Sequence, residues 1–435
     1  MLAASCAFAA VLLAPQQPDH DALHEALQTA VDLPTSAERQ AAVKGLLGLS
    51  TDVQAWQAVC ARFGVFAALE QGPSRQTVEL RVLDRVEATE LHLYVPAGYD
   101  PARPAPLLLW GHGSGGTGAR EHLIWQQIAD RVGMLVLAPT EPNSQDGYSK
   151  APRERAVALA ALRWARRRAN VDENAIFVGG WSRGGHLAWD LALRHPDLFA
   201  GALPVVGGPL LELGPANNLR YLENVAQLPI RDLQGSQDDP LLLANLHLAF
   251  GKLQKLRAKD AQLLEFADRG HDADLNAVDW PAFFALRREA RPQQLVRIAA
   301  DPAEARSAWL QITRFTKKVQ VEAQPQVDER RWQRMNDEQQ RAYLLERLGD
   351  YTARLQVTDK KNGRFEADGQ GVAAFTLWLQ AEQLGKPGKD GAAVEVRLKN
   401  KPVKKTVTPS AEVLLADFVE RFDRTRLPVA RVDVP

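Results

Sequence analysis

The 435-residue sequence predicts an α/β protein: a doubly wound, mostly parallel sheet, preceded by a helical segment and followed by a β-rich accessory domain. Three observations carry that prediction. Short apolar runs alternate with helical stretches between Pro106 and Ala267, the pattern of strands covered on both faces by crossing helices. Before that region, Leu23, Leu27 and Val31, then Val43, Leu46 and Leu47, recur at helical spacing. After about Arg288 the apolar residues recur in period two, the spacing of half-buried strands. The length favours two or three domains, and the divisions fall at 1–14, 15–72, 73–287 and 288–435.

In chain order, Leu2–Ala14 comes first, a run of small apolar residues followed by Pro15-Gln16-Gln17-Pro18. It is too short to span a bilayer and fits the apolar part of an export signal cleaved after Ala14, which places the protein in the periplasm or outside the cell. No basic residue precedes the run, as in a truncated leader; a buried N-terminal helix is the other reading. Cys6 would leave with the leader, and Cys60 sits in a helical apolar context as a small hydrophobe. Asp21–Ala68 reads as helical and is closed by Gly72-Pro73. Thr77–Leu83 and Glu90–Val95 alternate and read as antiparallel strands. Pro106–Trp110, Met134–Ala138, Ala175–Val178, Ala202–Val206, Ile230–Gln234 and Gln262–Ala267 supply the parallel strands. In the tail, Ala308–Thr313, Arg354–Val357, Ala373–Leu379 and Val394–Leu398 read as strands around a charged helical insertion at Asp328–Leu348. That tail is expected to close its own core and to contribute no reacting group.

Composition narrows the function. Apolar residues make up 46% and charged residues 24%, a globular balance. Lys plus Arg and Asp plus Glu are both 53, so no net field gathers nucleic acid or an anionic membrane. No apolar stretch outside the N-terminus is long enough to cross a bilayer. Two cysteines exclude both a disulfide framework and a Cys-rich zinc module.

The chemistry concentrates in Gly180-Trp181-Ser182-Arg183-Gly184, a G-x-S-x-G between an apolar strand and a helix that ends at His195-Pro196. A serine on such a sharp turn is lifted clear of the sheet, and the glycines let strand and helix converge. Its hydroxyl is a poor nucleophile without a base, and the base needs a carboxylate to fix its tautomer. Asp238 follows one later strand and His271 the next, in the order this sheet type requires. Asp239 competes with Asp238, which is preferred; the bland role for either is to cap the helix beginning at Pro240. His112, His186 and His247 lie at positions that suit structural roles, and Asp272 and Asp274 are too near His271 in sequence to orient it. His112-Gly113-Ser114-Gly115-Gly116 follows a strand facing the serine, so an N–H near Ser114 and the N–H of Arg183 are the expected oxyanion donors. The same loop formally matches G-x-G-x-x-G, but no acidic residue ends a second strand about 20 residues on, so a dinucleotide site is set aside. Trp125, Tyr148 and Trp181 are candidates for the substrate pocket, with Trp125 equally suited to the core.

From Thr77 to Phe284, about half of the chain, the sequence resembles bacterial α/β-hydrolase esterases of the polyhydroxybutyrate-depolymerase and feruloyl-esterase type, and the prolyl-oligopeptidase catalytic domain. Trp110-Gly-His-Gly-Ser, Gly179-Gly-Trp-Ser182-Arg-Gly-Gly, His195-Pro-Asp-Leu-Phe-Ala, Gly235-Ser-Gln-Asp238 and Gly270-His271 carry the resemblance. Relatives often have His-Gly before the acid loop where this chain has Gln234-Gly235, and Met, Gln or Tyr where it has Arg183. The resemblance implies a serine hydrolase acting on small-molecule or polymeric esters without metal or organic cofactor. A serine peptidase with the same triad is the alternative, and a non-catalytic polymer- or cell-wall-binding protein on the same scaffold is the reading from another class.

Overall fold

The computed structural model describes residues 19–141, 145–398 and 401–435. The expected leader, residues 2–14 with Cys6, lies outside the described residues. Three helices open the chain: α1 (His20–Val31), α2 (Ser36–Leu49) and α3 (Val53–Ala61). Asp19, Thr35 and Asp52 accept the free N–H groups of their first turns. The helical reading overshoots at its end, because the chain leaves α3 at Ala61 and turns at Gly64, whose φ is 106°.

The middle of the chain begins with an antiparallel pair, β1 (Gly72–Val82) and β2 (Arg85–Val95). Next come β3 (Ala105–Gly111), α4 (Gly118–Glu121), α5 (Gln126–Val132), β4 (Leu135–Pro139) and α6 (Pro152–Arg168). They are followed by β5 (Val171–Trp181), α7 (Arg183–Arg194), β6 (Gly201–Val205) and β7 (Ile230–Gly235). Then α8 (Pro240–Lys255), β8 (Ala261–Phe266) and α9 (Trp280–Phe284) complete this part. The eight strands form one sheet in the order β1-β2-β4-β3-β5-β6-β7-β8, parallel from β4 through β8. Alternate residues of the apolar runs face opposite cores. Leu107, Leu109, Ile176 and Val178 enter one cluster, and Leu108, Trp110 and Phe177 the other. The chain runs from β3 to β4 on one side, then returns to lay β5 on the other. At that reversal the loops leaving the carboxyl ends of β3 and β5 run to opposite sides.

The tail is β-rich. It comprises β9 (Gln294–Ala299), β10 (Arg306–Ser307), β11 (Leu310–Phe315), α10 (Glu329–Trp332), α11 (Asp337–Gly349) and β12 (Ala353–Asp359). After these come β13 (Arg364–Gln370), β14 (Val372–Leu379), β15 (Pro387–Gly388), β16 (Gly391–Leu398), β17 (Lys401–Val407), α12 (Ala411–Arg421) and β18 (Ala430–Val434). One sheet contains β10, β11, β14 and β18, the other β9, β12, β13, β15, β16 and β17. Ile312, Phe375 and Leu377 of the first share an apolar cluster with Leu355, Phe365 and Val394 of the second.

The two sheets of the tail close a core of their own, as expected, but its helix α12 packs outside that core. Leu414, Leu415 and Phe418 of α12 share a core with Leu27, Trp56, Cys60 and Phe63, so the two ends of the chain build one helical cluster. The Phe63 and Phe418 rings meet edge to face at 5.1 Å. An arginine seam joins the tail to the middle. Asp197 accepts from Arg421 and Arg426, Asp423 pairs with Arg288, and Glu304 receives both Arg155 and Arg194. Among the described residues no helix is long and apolar enough to cross a membrane.

Candidate active site

Ser182 stands between β5 and α7 with φ 55° and ψ −110°, a strained conformation for a non-glycine residue. The strain is imposed by close backbone packing. A Cβ on Gly184 would lie 2.0 Å from Gly111 O, and one on Gly180 would lie 2.4 Å from Gly184 O. The end of β3, the end of β5 and the start of α7 therefore touch through glycines alone. Ser182 N–H donates to Val205 O at 2.8 Å, which fastens the turn to β6.

The loops after β7 and β8 are pressed together in the same way. A Cβ on Gly235 would lie 1.9 Å from Gly270 O, and Gln237 N–H donates to Arg269 O at 2.8 Å. This contact brings His271 over the serine, with Nε2 2.7 Å from Ser182 Oγ. Its Nδ1 lies 2.8 Å from Asp238 Oδ2. Nδ1 faces a carboxylate, so it carries the proton, and Nε2 is left to accept from the hydroxyl. Asp238 Oδ1 accepts the Asp239 N–H at 2.7 Å, and Oδ2 also accepts from Gln234 Nε2 at 2.6 Å. Burial pushes the Asp238 carboxyl up, but the Asp239 N–H, His271 and Gln234 outweigh it and hold it below the usual value. Asp239 is occupied elsewhere: its Oδ1 accepts the Leu241 and Leu242 N–H groups at 2.8 and 2.9 Å and caps α8.

The loop after β3 lies beside the serine. A Cβ on Gly113 would stand 3.7 Å from Trp181 Cδ1 and 3.9 Å from Ser182 Cβ. His112 holds this loop from beneath: Nε2 accepts the Glu141 N–H at 3.1 Å, so Nδ1–H donates to Gly113 O at 2.8 Å. Burial lowers the His112 pKa, in keeping with a neutral ring. Ser114 is exposed, and its Oγ donates to Asp146 O at 3.1 Å. The N–H of Arg183 lies in the first turn of α7, where no intrahelical acceptor is available and the helix dipole favours negative charge.

Two pocket candidates turn into the cores instead, Trp125 in keeping with its alternative reading. Trp125 is fully buried, packed edge to face between Trp110 and Trp280, both with ring centres 5.0 Å away. Tyr148 is buried in the other core, and its hydroxyl donates to Asp190 Oδ2 at 2.9 Å. Trp181 is half-buried beside Gly113, adjacent to Ser182. His186 is half-buried on α7 with Nδ1 against Gly208 O, and desolvation, with Lys150 nearby, lowers its pKa to about 4. His247 pairs with Glu265 at 2.8 Å on the surface.

Sequence reading missed the side chain of Arg183. It turns under the elbow, fully buried, and bonds to Glu141 and to Glu154 Oε1, the latter at 2.6 Å. Glu154 Oε2 in turn accepts from Ser149 N–H and Oγ–H at 3.0 and 2.6 Å. Charge at Arg183 was visible in the sequence; partners 42 and 29 residues away were not.

No family model matches the sequence. It is similar to a protein of Nocardia uniformis subsp. tsuyamanensis named as an esterase, NocK, with 29% identity over 177 residues, 37% of this chain and 51% of that one. It is also similar to the thioesterase AMT4 of Alternaria alternata, with 29% identity over 137 residues, 32% of this chain and 49% of that one. The chain therefore spans about half the length of the curated relatives it matches. Among solved structures, a thermostable esterase aligns with a TM-score of 0.41 and 22% identity over 49% of this chain and 63% of that one. The strand order and the strand–serine–helix turn give the middle of the chain the α/β-hydrolase fold.

Proposed function

We propose that the chain is a serine hydrolase that cleaves carboxylic esters through an acyl-enzyme. The observation that carries this reading is the relay Ser182 Oγ–His271 Nε2, His271 Nδ1–Asp238 Oδ2, at 2.7 and 2.8 Å. Ser182 Oγ attacks the ester carbonyl as His271 Nε2 takes its proton, and Asp238 stabilises the imidazolium. The carbonyl oxygen becomes an oxyanion, held by the Arg183 N–H and an N–H near Ser114. When the tetrahedral species collapses, the C–O bond to the alcohol breaks and His271 returns the proton to the leaving oxygen. Water then attacks the acyl-serine by the same steps in reverse, releasing the acid and restoring Ser182. The esterase and thioesterase names of the relatives favour acyl–oxygen or acyl–sulfur substrates over amides.

Stoichiometric labelling of Ser182 by a fluorophosphonate tests the nucleophile. A panel of p-nitrophenyl esters beside peptide anilides then tests the substrate class, with faster anilide cleavage deciding for a peptidase. A folded protein that takes no label would be a binding module on a hydrolase scaffold. Export is a separate proposal, resting on residues 2–14; the N-terminal residue of protein recovered from periplasm and medium tests it, and an intact Met1 on cytoplasmic protein would overturn it.

A further inference from the structure

Gln234 is the last side chain of β7 before its terminal glycine, and it is completely buried. Its Nε2 donates at 2.6 Å to Asp238 Oδ2, the oxygen that also accepts from His271 Nδ1 at 2.8 Å. The amide orientation follows from charge, since the exchanged one would set a carbonyl against a carboxylate. At the other end of the amide, Oε1 meets no protein donor among the described residues. A buried carbonyl oxygen in that state costs stability, whereas Leu or Met would fill a similar volume without that cost. The polar group therefore answers to Asp238 rather than to folding.

We propose that Gln234 is a positioning residue for the reaction: it holds Oδ2 of Asp238 in line with His271 and takes up part of the carboxylate's charge. The proposal rests on the serine-hydrolase reading above. Three donors hold the carboxylate, the Asp239 N–H on Oδ1 and Gln234 and His271 together on Oδ2. Losing the Gln234 donor leaves Oδ2 tied to the imidazole alone. The carboxylate then has more freedom to turn about its own axis, and its undivided charge favours the imidazolium more strongly. Other charged groups around the relay include Asp239, which caps α8, Arg183 with Glu141 and Glu154 beneath the elbow, His186 on α7 with Lys150 beyond it, and Asp268, Arg269 and Asp272 on the loop that carries His271. Asp232 and Glu265 lie along β7 and β8. These groups stay unchanged in the variants below.

The test is the pH–rate profile of Gln234→Leu and Gln234→Glu beside the wild type, on one p-nitrophenyl ester. In Gln234→Leu, kcat is expected to fall about 10- to 100-fold with KM within about twofold, as for a misaligned catalytic group. The acid limb of kcat/KM, which belongs to the His271–Asp238 pair as a unit, is expected to move up by about half a pH unit. A protonated Glu donates as the amide does, so the rate of Gln234→Glu relative to Gln234→Leu should rise as the pH falls. The Leu variant should also melt no lower than the wild type. A folded Gln234→Leu enzyme with an unchanged kcat and acid limb overturns the proposal and leaves the triad standing, as shown by fluorophosphonate labelling. A Leu variant that cannot fold also overturns it, because Gln234 would then serve stability. Failure of the wild type to label overturns the hydrolase reading instead.

Discussion

Two polar clusters sit on the central sheet, the serine relay at the carboxyl ends of β5, β7 and β8, and the arginine seam where α12 and the residues after it close on α6 and β5. Exposure separates them. The His271 side chain is 49% exposed, whereas Arg288 and Asp423 are each 6% exposed. The relay is aligned by backbone contact at Gly180, Gly184, Gly235 and Gly270, with strain held at Ser182. The seam is aligned by charge, with Asp197 held by Arg421 and Arg426 and Asp423 paired with Arg288, all far from their partners in sequence. If the relay reacts as proposed, it must stay open to substrate, so its precision comes from the scaffold beneath it. A closed cluster can rely on its own ion pairs, at the expense of collapse when one partner is removed.

That contrast predicts different failures. The largest effect is expected in Ser182→Ala: ester turnover falls by several orders of magnitude while the thermal melt stays near that of the wild type. Near-normal turnover in a folded preparation would place the chemistry elsewhere. Asp238→Asn comes next, with a loss of about 10⁴-fold in kcat, because the amide no longer fixes the imidazole tautomer. Asp239→Asn should leave kcat within a few-fold, since an N-cap Asn serves nearly as well as Asp. Matched kinetics on the two variants decide it, and a crippled Asp239→Asn would move the acid by one residue.

The seam should fail in the opposite sense. Asp197→Ala leaves Arg421 and Arg426 without their shared carboxylate, a loss of about 3–5 kcal/mol in stability, while kcat per folded molecule stays near wild type. Burial would raise the Asp197 carboxyl, but Arg421, Arg426 and the Ala308 N–H outweigh it and hold it well below the usual range. A carboxyl depressed in the folded state contributes stability that is complete above its unfolded pKa of about 4 and is lost as the pH falls toward the folded value. Urea melts should therefore show the wild type weakening below about pH 4 more steeply than Asp197→Ala. Equal acid sensitivity in the two proteins would remove Asp197 from the account.

The same contrast explains what the sequence disclosed. The relay was legible because strand, turn and loop order constrain it locally: Gly180–Gly184, Asp238 and His271 each follow a readable apolar run. The seam was not, because Asp197 finds Arg421 and Arg426 224 and 229 residues away, and no periodicity reports such a pairing. For the same reason the sequence does not mark α12 as a partner of α1–α3, although Ser410 caps a helix with a clear apolar face. Strand β13 was missed for a different reason: its burial alternates, but only Phe365 and Ala367 fill the inward positions. Trp125 suits core and pocket equally from sequence, and Tyr148 suits the pocket as an aromatic near the elbow; neither residue type nor position says which way a ring turns.

The smallest expected effect sharpens the rule that exposure sets the value of a charge pair. Arg167 on α6 meets Asp32, the residue that ends α1, through two bonds of 2.8 Å. The geometry is as good as any in the seam, yet the Asp32 side chain is 52% exposed. Solvent and salt screen such a pair to about 0–1 kcal/mol. Asp32 also places a negative charge at a helix C-terminus, which the helix dipole disfavours, so neutralising it returns part of what the pair supplies. Asp32→Asn should change the urea midpoint only slightly, corresponding to less than about 0.5 kcal/mol, and the difference should shrink further in high salt. Turnover should be unaffected, because neither residue touches the relay. A loss above about 2 kcal/mol, persisting in high salt, would mean that the joint between α1 and α6 is a buried junction of the same kind as the seam, and that exposure is not what divides the two.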